Sequence, residues 1–527
     1  MSLEYIKINS KDNNITVVKE DGLSEGTCIQ NYNLVLKNDV PLGNKIAIVD
    51  IKKDEPIIRY GEIIGFADRD ISKGEFIDYR AIHVNKIKDL DIEVPYLSRK
   101  TTNKENKDRY FYGYENPDGT VGTKNLLAIS TNVQCSEGFV NKLIDYIEEN
   151  LLDNYENVDG VVAVSHAYGC GVAINALNAE IPQRIINNII KNPNFGGEVM
   201  MVCLGCEKFT HDMINSVSTQ DVLVQQDASF EKSFNRAVEM AKERLERLNK
   251  RTRTKQPLSK LRLGLQCGGS DALSGITANP TIGYVADRLV EYGASVIFSE
   301  VTEVRDASNI ILSRIKDRSL REKYVKEIRW YDYYLEKARV DRSANPSPGN
   351  KAGGLTTVID KAMGSVAKSG SSDITDVLSP GEQIKKPGLT FAATPTSDFV
   401  CGTCQVASGI NLMLFSSGKG TTYNLTQVPV VKISTNNLLA KKWNDLIDFN
   451  AGDIAIGKTT VEEKGEELLD YIVEVASGRK NTKSDELGLD NALVVFNPAP
   501  ITWLYKIINK IINKIINIEY IGGKLWK

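Results

Sequence analysis

Apolar and polar residues follow two different rhythms along this chain, and the change of rhythm marks its organisation. Near the N-terminus, NITVV (14–18), KIAIVDI (45–51) and PIIRYGEIIGF (56–66) are short strand-like runs separated by turn residues. The alternation in IIRYGEIIGF suits a half-buried strand pair, so residues 1–90 are expected to form a small β-rich module. Val94 to Arg109 is polar and charged without apolar periodicity, and 91–109 reads as a linker.

From Tyr110 strands and helices alternate. DGVVAVS (159–165) and GEVMMVCLG (197–205) are continuous apolar runs of strand length, while the Ile-rich stretch 181–191 and the charged stretch 229–249 read as helices. The basic segment NKRTRTKQPLSK (249–260) is a second candidate boundary. Beyond it LRLGLQ, ASVIFSE, LTFAAT, NLMLFSS and VPVVKIS look like buried strands with helical stretches between most of them. The pattern predicts a multidomain α/β chain with parallel pairing, in which 110–250 and 258–502 are separate α/β domains. The tail, 503–527, repeats KIIN three times from Lys506 and reads as a low-complexity appendage without a catalytic part.

Bulk properties narrow the classes. A chain of 527 residues is too long for one core. At 42% hydrophobic and 25% charged residues it is an ordinary globular composition. The formal net charge of -3 argues against a nucleic-acid partner, which would require a basic stripe. No apolar run approaches a membrane span and the opening MSLEYIKINSKDNN lacks a signal-peptide core, so a cytoplasmic protein without a membrane partner is expected. In that reducing compartment the eight cysteines should stay free.

Four of those cysteines share one setting, just past a strand-like run and usually beside glycine: Cys135 in STNVQCSEG, Cys170 in SHAYGCGVAIN, Cys206 in CLGCEKF and Cys267 in LQCGGSDALSG. Ligands bind at strand ends followed by Gly-rich turns, and thiolates take iron or zinc, so the four are the candidate metal ligands. A single cysteine of this kind is more often a packed turn residue; four in matching contexts shift the balance. His166, four residues before Cys170, is a candidate base or ligand; His83 and His211 look like surface residues. Cys203 and Cys206, and Cys401 and Cys404, have C-x-x-C spacing. Cys203 sits inside a strand run, which suggests packing, and the Cys401 pair reads as a loop whose role is open.

FSEVTEVRDA places Glu300, Glu303, Arg305 and Asp306 at a strand end, where carboxylates can ligate a cation or transfer protons and Arg305 can grip a substrate carboxylate. DRSANPSPGNKAGG (341–354) is a Pro/Gly loop that carries Arg342, Asn350 and Lys351. Ser270 and Asp271, in the turn after Cys267, complete the substrate-binding candidates. SSGKGTT (416–422) is a weak anion-turn signal without a Walker pattern.

Eight longer strings carry a resemblance: GYENPDGTVGTKN (113–125), YGCGVAIN (168–175), NPNFGGEVMMVCLGCEK (192–208), QCGGSDALSGITANP (266–280), FSEVTEVRDA (298–307), DRSANPSPGNKAGG (341–354), ATPTSDFVCGT (393–403) and NPAPIT (497–502). Together they closely resemble the altronate/galactarate dehydratase family from Tyr5 to Thr502, with wording that leans toward the galactarate branch. The resemblance implies an N-terminal SAF-type β domain, a second domain and a C-terminal Rossmann-like domain. It also implies activation by a divalent metal, Fe²⁺ preferred, with an iron–sulfur cluster left open because the cysteines come from separate segments. The implied reaction, part of sugar-acid catabolism, removes water from the sugar diacid galactarate to give 5-dehydro-4-deoxy-D-glucarate. The site is expected between the second and third domains, with His166, Glu300 and Glu303 catalytic, and a homo-oligomer is allowed. Altronate or a related hydroxy acid such as sulfolactate is the alternative substrate, and an inactive metal- or sugar-acid-binding homologue the alternative class. Two departures stand out. Asn9 occupies the place of a family histidine, and Thr422 and Asn424 replace a Pro and a Gly; the KIIN tail lies outside the family pattern.

Overall fold

The computed structural model of the protein describes residues 3–85, 90–97, 108–214, 219–340, 342 and 345–499. Most of the expected linker and all of the KIIN tail lie outside the described residues. The N-terminal region is antiparallel β structure. One four-stranded sheet runs in the order Tyr5–Ile6, Asn14–Val17, Lys45–Ala47, Phe76–Ile77. A second sheet joins Pro56–Arg59, Glu62–Ala67 and Ile82–His83. The sequence Tyr60-Gly61 makes the hairpin between the first two of these, both residues having positive φ (59° and 78°). That is the two-residue turn whose twist matches the flanking strands.

The next region is built on a parallel sheet in which β1 (Leu126–Thr131) lies between β2 (Gly160–Val164) and β3 (Val199–Cys203), with β4 (Val222–Val224) outside β3. Helices α1 (Glu137–Asn150) and α2 (Phe230–Asn249) cover it. The segment read as a boundary, 249–260, carries a strand. Thr254–Pro257 pairs antiparallel with Tyr110–Glu115, and its approach is fixed by Arg253, which stacks over Tyr114 and pairs with Asp159. Its basic residues thus meet aromatic and acidic partners rather than solvent alone.

The largest sheet is seven-stranded and all parallel, in the order β7 (Ile374–Leu378), β8 (Gly388–Ala392), β6 (Ser295–Ser299), β5 (Arg262–Cys267), β9 (Leu412–Ser417), β10 (Val430–Ser434), β11 (Phe449–Asn450). Strands β6, β8, β9 and β10 are buried along their whole length, which explains why they read as unbroken apolar runs. The chain enters in the middle at β5, builds one side of the sheet and then returns to β9 on the other. Such a reversal leaves a crevice at the carboxyl ends of the strands. Around the sheet lie α3 (Ala278–Glu291), α4 (Val358–Ala367) and α5 (Asp398–Ala407). Cys401 and Cys404, read as loop residues from sequence, are buried on α5; the short apolar run VCGTCQVA packs as a helix there.

Two buried cations fasten the N-terminal sheets to α4. Lys45 Nζ lies 2.8 Å from Asp360 Oδ2 with both side chains fully buried, and it also donates to Gly354 O at 2.7 Å. Arg59 Nε lies 3.6 Å from Asp360 Oδ1, and its Nη2 donates to Ala272 O at 2.9 Å. Thr357, which caps α4, donates through Oγ1 to Ile64 O at 2.7 Å.

Candidate active site

The carboxyl ends of β5, β6 and β8 open into a cavity of about 440 Å³. Its walls come from residues 267–398, so it belongs to the seven-stranded sheet rather than to a junction with the region before it. Three acidic or thiol groups meet in its floor. Cys267 ends β5, and Glu300 and Glu303 follow β6; their ligating atoms all lie within 4.8 Å of one another and all three residues are buried.

Local structure explains how they meet. Glu300 makes the sharp turn out of β6 with φ 78° and ψ 90°, a conformation a side-chain-bearing residue adopts only under strain. It is held there because Glu300 N donates to Thr394 Oγ1 and Val301 N to Thr394 O, 3.2 and 3.0 Å. Strain retained at a buried carboxylate facing a cavity is itself a functional signal. On the opposite wall Gly268 permits Asp398 to approach. A Cβ on Gly268 would stand 2.4 Å from Asp398 Oδ2.

Two lysines from α4 and its C-cap neutralise the floor. Lys361 Nζ lies 2.9 Å from Glu303 Oε1. Lys368 Nζ lies 3.0 Å from Cys267 Sγ, 3.4 Å from Glu300 Oε2 and 3.6 Å from Glu303 Oε2. Ser365 Oγ donates to Glu303 Oε2 at 2.7 Å. Burial would raise both glutamates, but Lys361 and then Lys368 pull Glu303 down to about 2. Burial, then the Glu303 charge, holds Glu300 well above the usual carboxylate range. Burial and Glu303 also push Asp398 up to about 6, and the Cys267 thiol up to about 11. Lys368 is held well above its ordinary value, because Cys267 and the two glutamates outweigh its burial. The floor therefore sets a glutamate held low beside a glutamate held high, between two lysines.

A thiol with two carboxylates is a mixed donor set that suits iron or zinc, and the separations fit one ion. Lys368 supplies the positive charge at that place, so an ion held by these groups would have to take the place of its ammonium. By donor type and spacing the residues fit a divalent metal.

The sequence candidates fall into separate places. Arg342 and Asn350 line the cavity, with Arg342 Nη1 2.6 Å from Asp306 Oδ2 and Asn350 Nδ2 donating to Ser270 O at 2.8 Å. Arg305 pairs with Asp332 at 2.8 Å and Lys351 stands over the Tyr79 ring; neither lines the cavity. Asp271 is consumed by Ser274, Thr435 and Asn436 and braces the turn after β5. His166 is buried. Its Nε2 lies 2.8 Å from Thr131 O and its Nδ1 accepts from Tyr168 N at 3.2 Å, so both ring nitrogens are engaged. Burial lowers its pKa to about 4, which keeps it neutral. Cys135, Cys170 and Cys206 are exposed at the carboxyl edge of the β2–β1–β3 sheet and do not line the cavity.

Sequence reasoning missed Lys361, Lys368 and Asp398. One signal for the lysines was present: they lie seven residues apart, two helical turns, in the otherwise small and apolar stretch IDKAMGSVAK.

The comparisons cover nearly the whole chain. Residues 258–501 match the D-galactarate/altronate dehydratase C-terminal family, 113–249 the D-galactarate dehydratase/altronate hydrolase second domain, and 3–85 the altronate/galactarate dehydratase SAF domain. The chain is 48% identical over 511 residues to galactarate dehydratase (L-threo-forming) of Escherichia coli, covering 94% of this chain and 97% of that one. It is 35% identical over 482 residues to altronate dehydratase of Bacillus subtilis, 90% and 95% of the two chains. It is also 25% identical over 393 residues to the (2R)-sulfolactate sulfo-lyase β subunit of Chromohalobacter salexigens, 73% and 96% of the two chains.

Proposed function

The chain belongs to the altronate/galactarate dehydratase family, and from that premise we propose that it dehydrates galactarate to 5-dehydro-4-deoxy-D-glucarate in the cavity floored by Cys267, Glu300 and Glu303. The observation that carries the site is the grouping of Glu300, Glu303 and Asp398 around one cavity with Lys361 and Lys368 against the glutamates, Glu300 and Asp398 being raised in proton affinity and Glu303 lowered. Pairs of carboxyl groups driven apart in pKa are the usual signature of divided acid and base roles. The hydro-lyase activity agrees with the 48% identity to a galactarate dehydratase.

Galactarate has a carboxylate at each end and a hydroxyl on every carbon between. The proton alpha to one carboxylate passes to the Asp398 carboxylate, and the C–H electrons form the new C=C bond. The neighbouring C–O bond breaks, and the hydroxyl leaves as water with the proton of Glu300. The enol left behind tautomerises to the ketone. During the step negative charge grows on the carboxylate oxygens of the substrate, and Lys361 is placed to stabilise it. Arg342, with Asn350 beside it, binds the far carboxylate. Cys267 and Glu303 would hold a divalent ion of the iron class, which would supply Lewis acidity to the substrate carboxylate, while Glu300 beside them keeps its proton for the departing hydroxyl.

The same reading divides the chain into an SAF-like domain to about residue 90, a second domain over 110–250 and a Rossmann-like domain over 258–502. The doubly wound strand order supports the last of these. The eight cysteines, all free, support a cytoplasmic setting. Among the described residues no helix is long and apolar enough to cross a membrane.

Protein purified anaerobically and supplied with ferrous iron is expected to form 2-keto acid from galactarate. Glu300→Gln should lower kcat by ~10²–10⁴-fold, the usual worth of a positioned acid. Keto acid from altronate or sulfolactate but none from galactarate overturns the substrate; a fully active Glu300→Gln overturns the site.

A further inference from the structure

The loops that follow β1, β2 and β3 meet at one edge of their sheet, and each carries an exposed thiol: Cys135, Cys170 and Cys206. Direct contacts tie these loops together within two residues of every sulfur. Gln134 N donates to Tyr168 O at 3.3 Å. Gly169, at φ 106°, presses so closely on the β1 loop that a Cβ there would stand 2.1 Å from Asn132 O. Asn132 Nδ2 donates to Glu207 Oε1 at 2.7 Å and to Phe209 O at 2.8 Å, and Gly205 N donates to Glu207 Oε2 at 2.7 Å. Three thiols therefore stand around a single small edge, one per loop, with adjacent strands about 4.8 Å apart.

A second observation points to a ligand. Ser130 Oγ, Thr131 Oγ1, Asn132 Oδ1 and Ser165 Oγ are buried without hydrogen-bond partners, and all four belong to the last residues of β1 and the residues just past β1 and β2. Unpartnered buried polar groups are rare, and a cluster of them beside three thiols calls for a partner.

The spread of the thiols selects the class. Among the described residues only Cys267, Glu300 and Glu303 bring three ligating atoms within 4.8 Å of one another. One zinc ion, with Zn–S bonds of about 2.3 Å, needs its sulfurs drawn closer than the three loop thiols are. An iron–sulfur cluster takes each thiolate on a different iron and so accepts a wider set. No fourth thiol joins them: Cys203 is buried within β3, and both oxygens of Glu207 are hydrogen-bonded.

We propose that Cys135, Cys170 and Cys206 hold an iron–sulfur cluster of the four-iron class at the carboxyl edge of the second-domain sheet. Three irons take one thiolate each, and the fourth is left to a small oxygen ligand or water. This centre is separate from the Cys267 cavity and goes beyond the dehydratase reading.

The test uses the full chain, purified and reconstituted anaerobically with ferrous iron and sulfide. Iron, acid-labile sulfide, visible charge-transfer absorption and the EPR signal of the dithionite-reduced protein are measured. The expected result is about four sulfides per chain, with about four irons beyond any single ion held at the Cys267 cavity. Cys135→Ser, Cys170→Ser and Cys206→Ser each lose the sulfide and the visible band, whereas Cys28→Ser and Cys267→Ser keep both. Circular dichroism identifies any variant that has not folded, and the matching Ala variant replaces it. Wild-type protein without labile sulfide overturns the proposal, as does zinc in place of iron or a cluster that survives loss of any of the three thiols. Galactarate turnover in the same samples separates the two readings: a cluster present without turnover sinks the dehydratase reading alone, and turnover without a cluster sinks this one alone.

Discussion

Two parallel sheets in this chain end in Gly-rich turns that carry cysteines, and the two edges treat their thiols in opposite ways. At the edge of the seven-stranded sheet Cys267 is buried among Glu300, Glu303 and Lys368, and every charge has a partner within the protein. At the edge of the β2–β1–β3 sheet Cys135, Cys170 and Cys206 are exposed, and the buried polar atoms beside them lack partners. The first edge is complete as an electrostatic unit: it stores opposite charges at short range and divides proton affinities between its carboxyl groups. The second is a set of donors without an acceptor. The same local pattern, a cysteine at or just past a strand end in a turn, thus produces a balanced acid–base cluster in one place and an open thiol triad in the other. Which one forms is decided by what a later helix brings across, here α4 with Lys361 and its C-cap Lys368.

The sharpest way to break this comparison is to remove the proposed base. Asp398→Asn is expected to lower kcat by ~10²–10⁴-fold while leaving the thiol edge untouched. In the parent enzyme the Asp398 carboxyl, pushed up to about 6, must be ionised to accept a proton. Activity should therefore rise with pH through about 6 and be lost below it. A kcat/KM profile flat from pH 5 to 7, or an unchanged limb in the variant, removes Asp398 from the role.

A smaller effect concerns charge balance. Lys368→Met leaves the ionised Glu303 with one ammonium partner and strips the Cys267 thiol of its donor. Breaking a buried ion cluster in this way costs about 3–5 kcal/mol of stability. Cys170→Ser, at the exposed edge, should change stability by less than about 0.5 kcal/mol in metal-free protein. Urea melts of the two variants side by side test the contrast, and equal losses erase it.

The smallest effect runs the other way. Glu300→Gly relieves a left-handed backbone conformation worth about 1–3 kcal/mol while deleting the carboxyl group. Part of that gain is offset by the flexibility glycine adds to the unfolded chain. The variant should melt higher than the parent and turn over nothing; a lower melting temperature would show that Glu300 stabilises the fold rather than burdening it.

Much of the scaffold was legible. The change from short alternating runs to long apolar ones separated the antiparallel N-terminal sheets from the parallel ones, because a sheet covered on both faces cannot show alternation. Glu300 and Glu303 were visible at a strand end for the same reason. The grouping of residues was not visible. Cys267 shares its local wording with Cys135 and Cys170, and nothing within ten residues tells which sheet a strand will join. His166 looked available, yet its ring is spent on the backbone of Thr131 and Tyr168. Lys361 and Lys368 meet partners 58 to 101 residues away in sequence, a separation no local pattern records. Arg253, in the segment read as a boundary, meets Tyr114 and Asp159, which lie about 140 and 94 residues earlier and which its local sequence does not announce.

The buried contact between Lys45 and Asp360 has a consequence for how the molecule can be divided. Asp360 immediately precedes Lys361 on α4, and its charge is neutralised from the N-terminal sheets by Lys45 and Arg59. The small β module is therefore a structural support of α4 rather than a detachable accessory. Cut apart at the linker, the two pieces would each carry half of a buried ion pair, and each half is a recognition element for the other. Severing the chain there would leave an uncompensated buried charge on each side of the break.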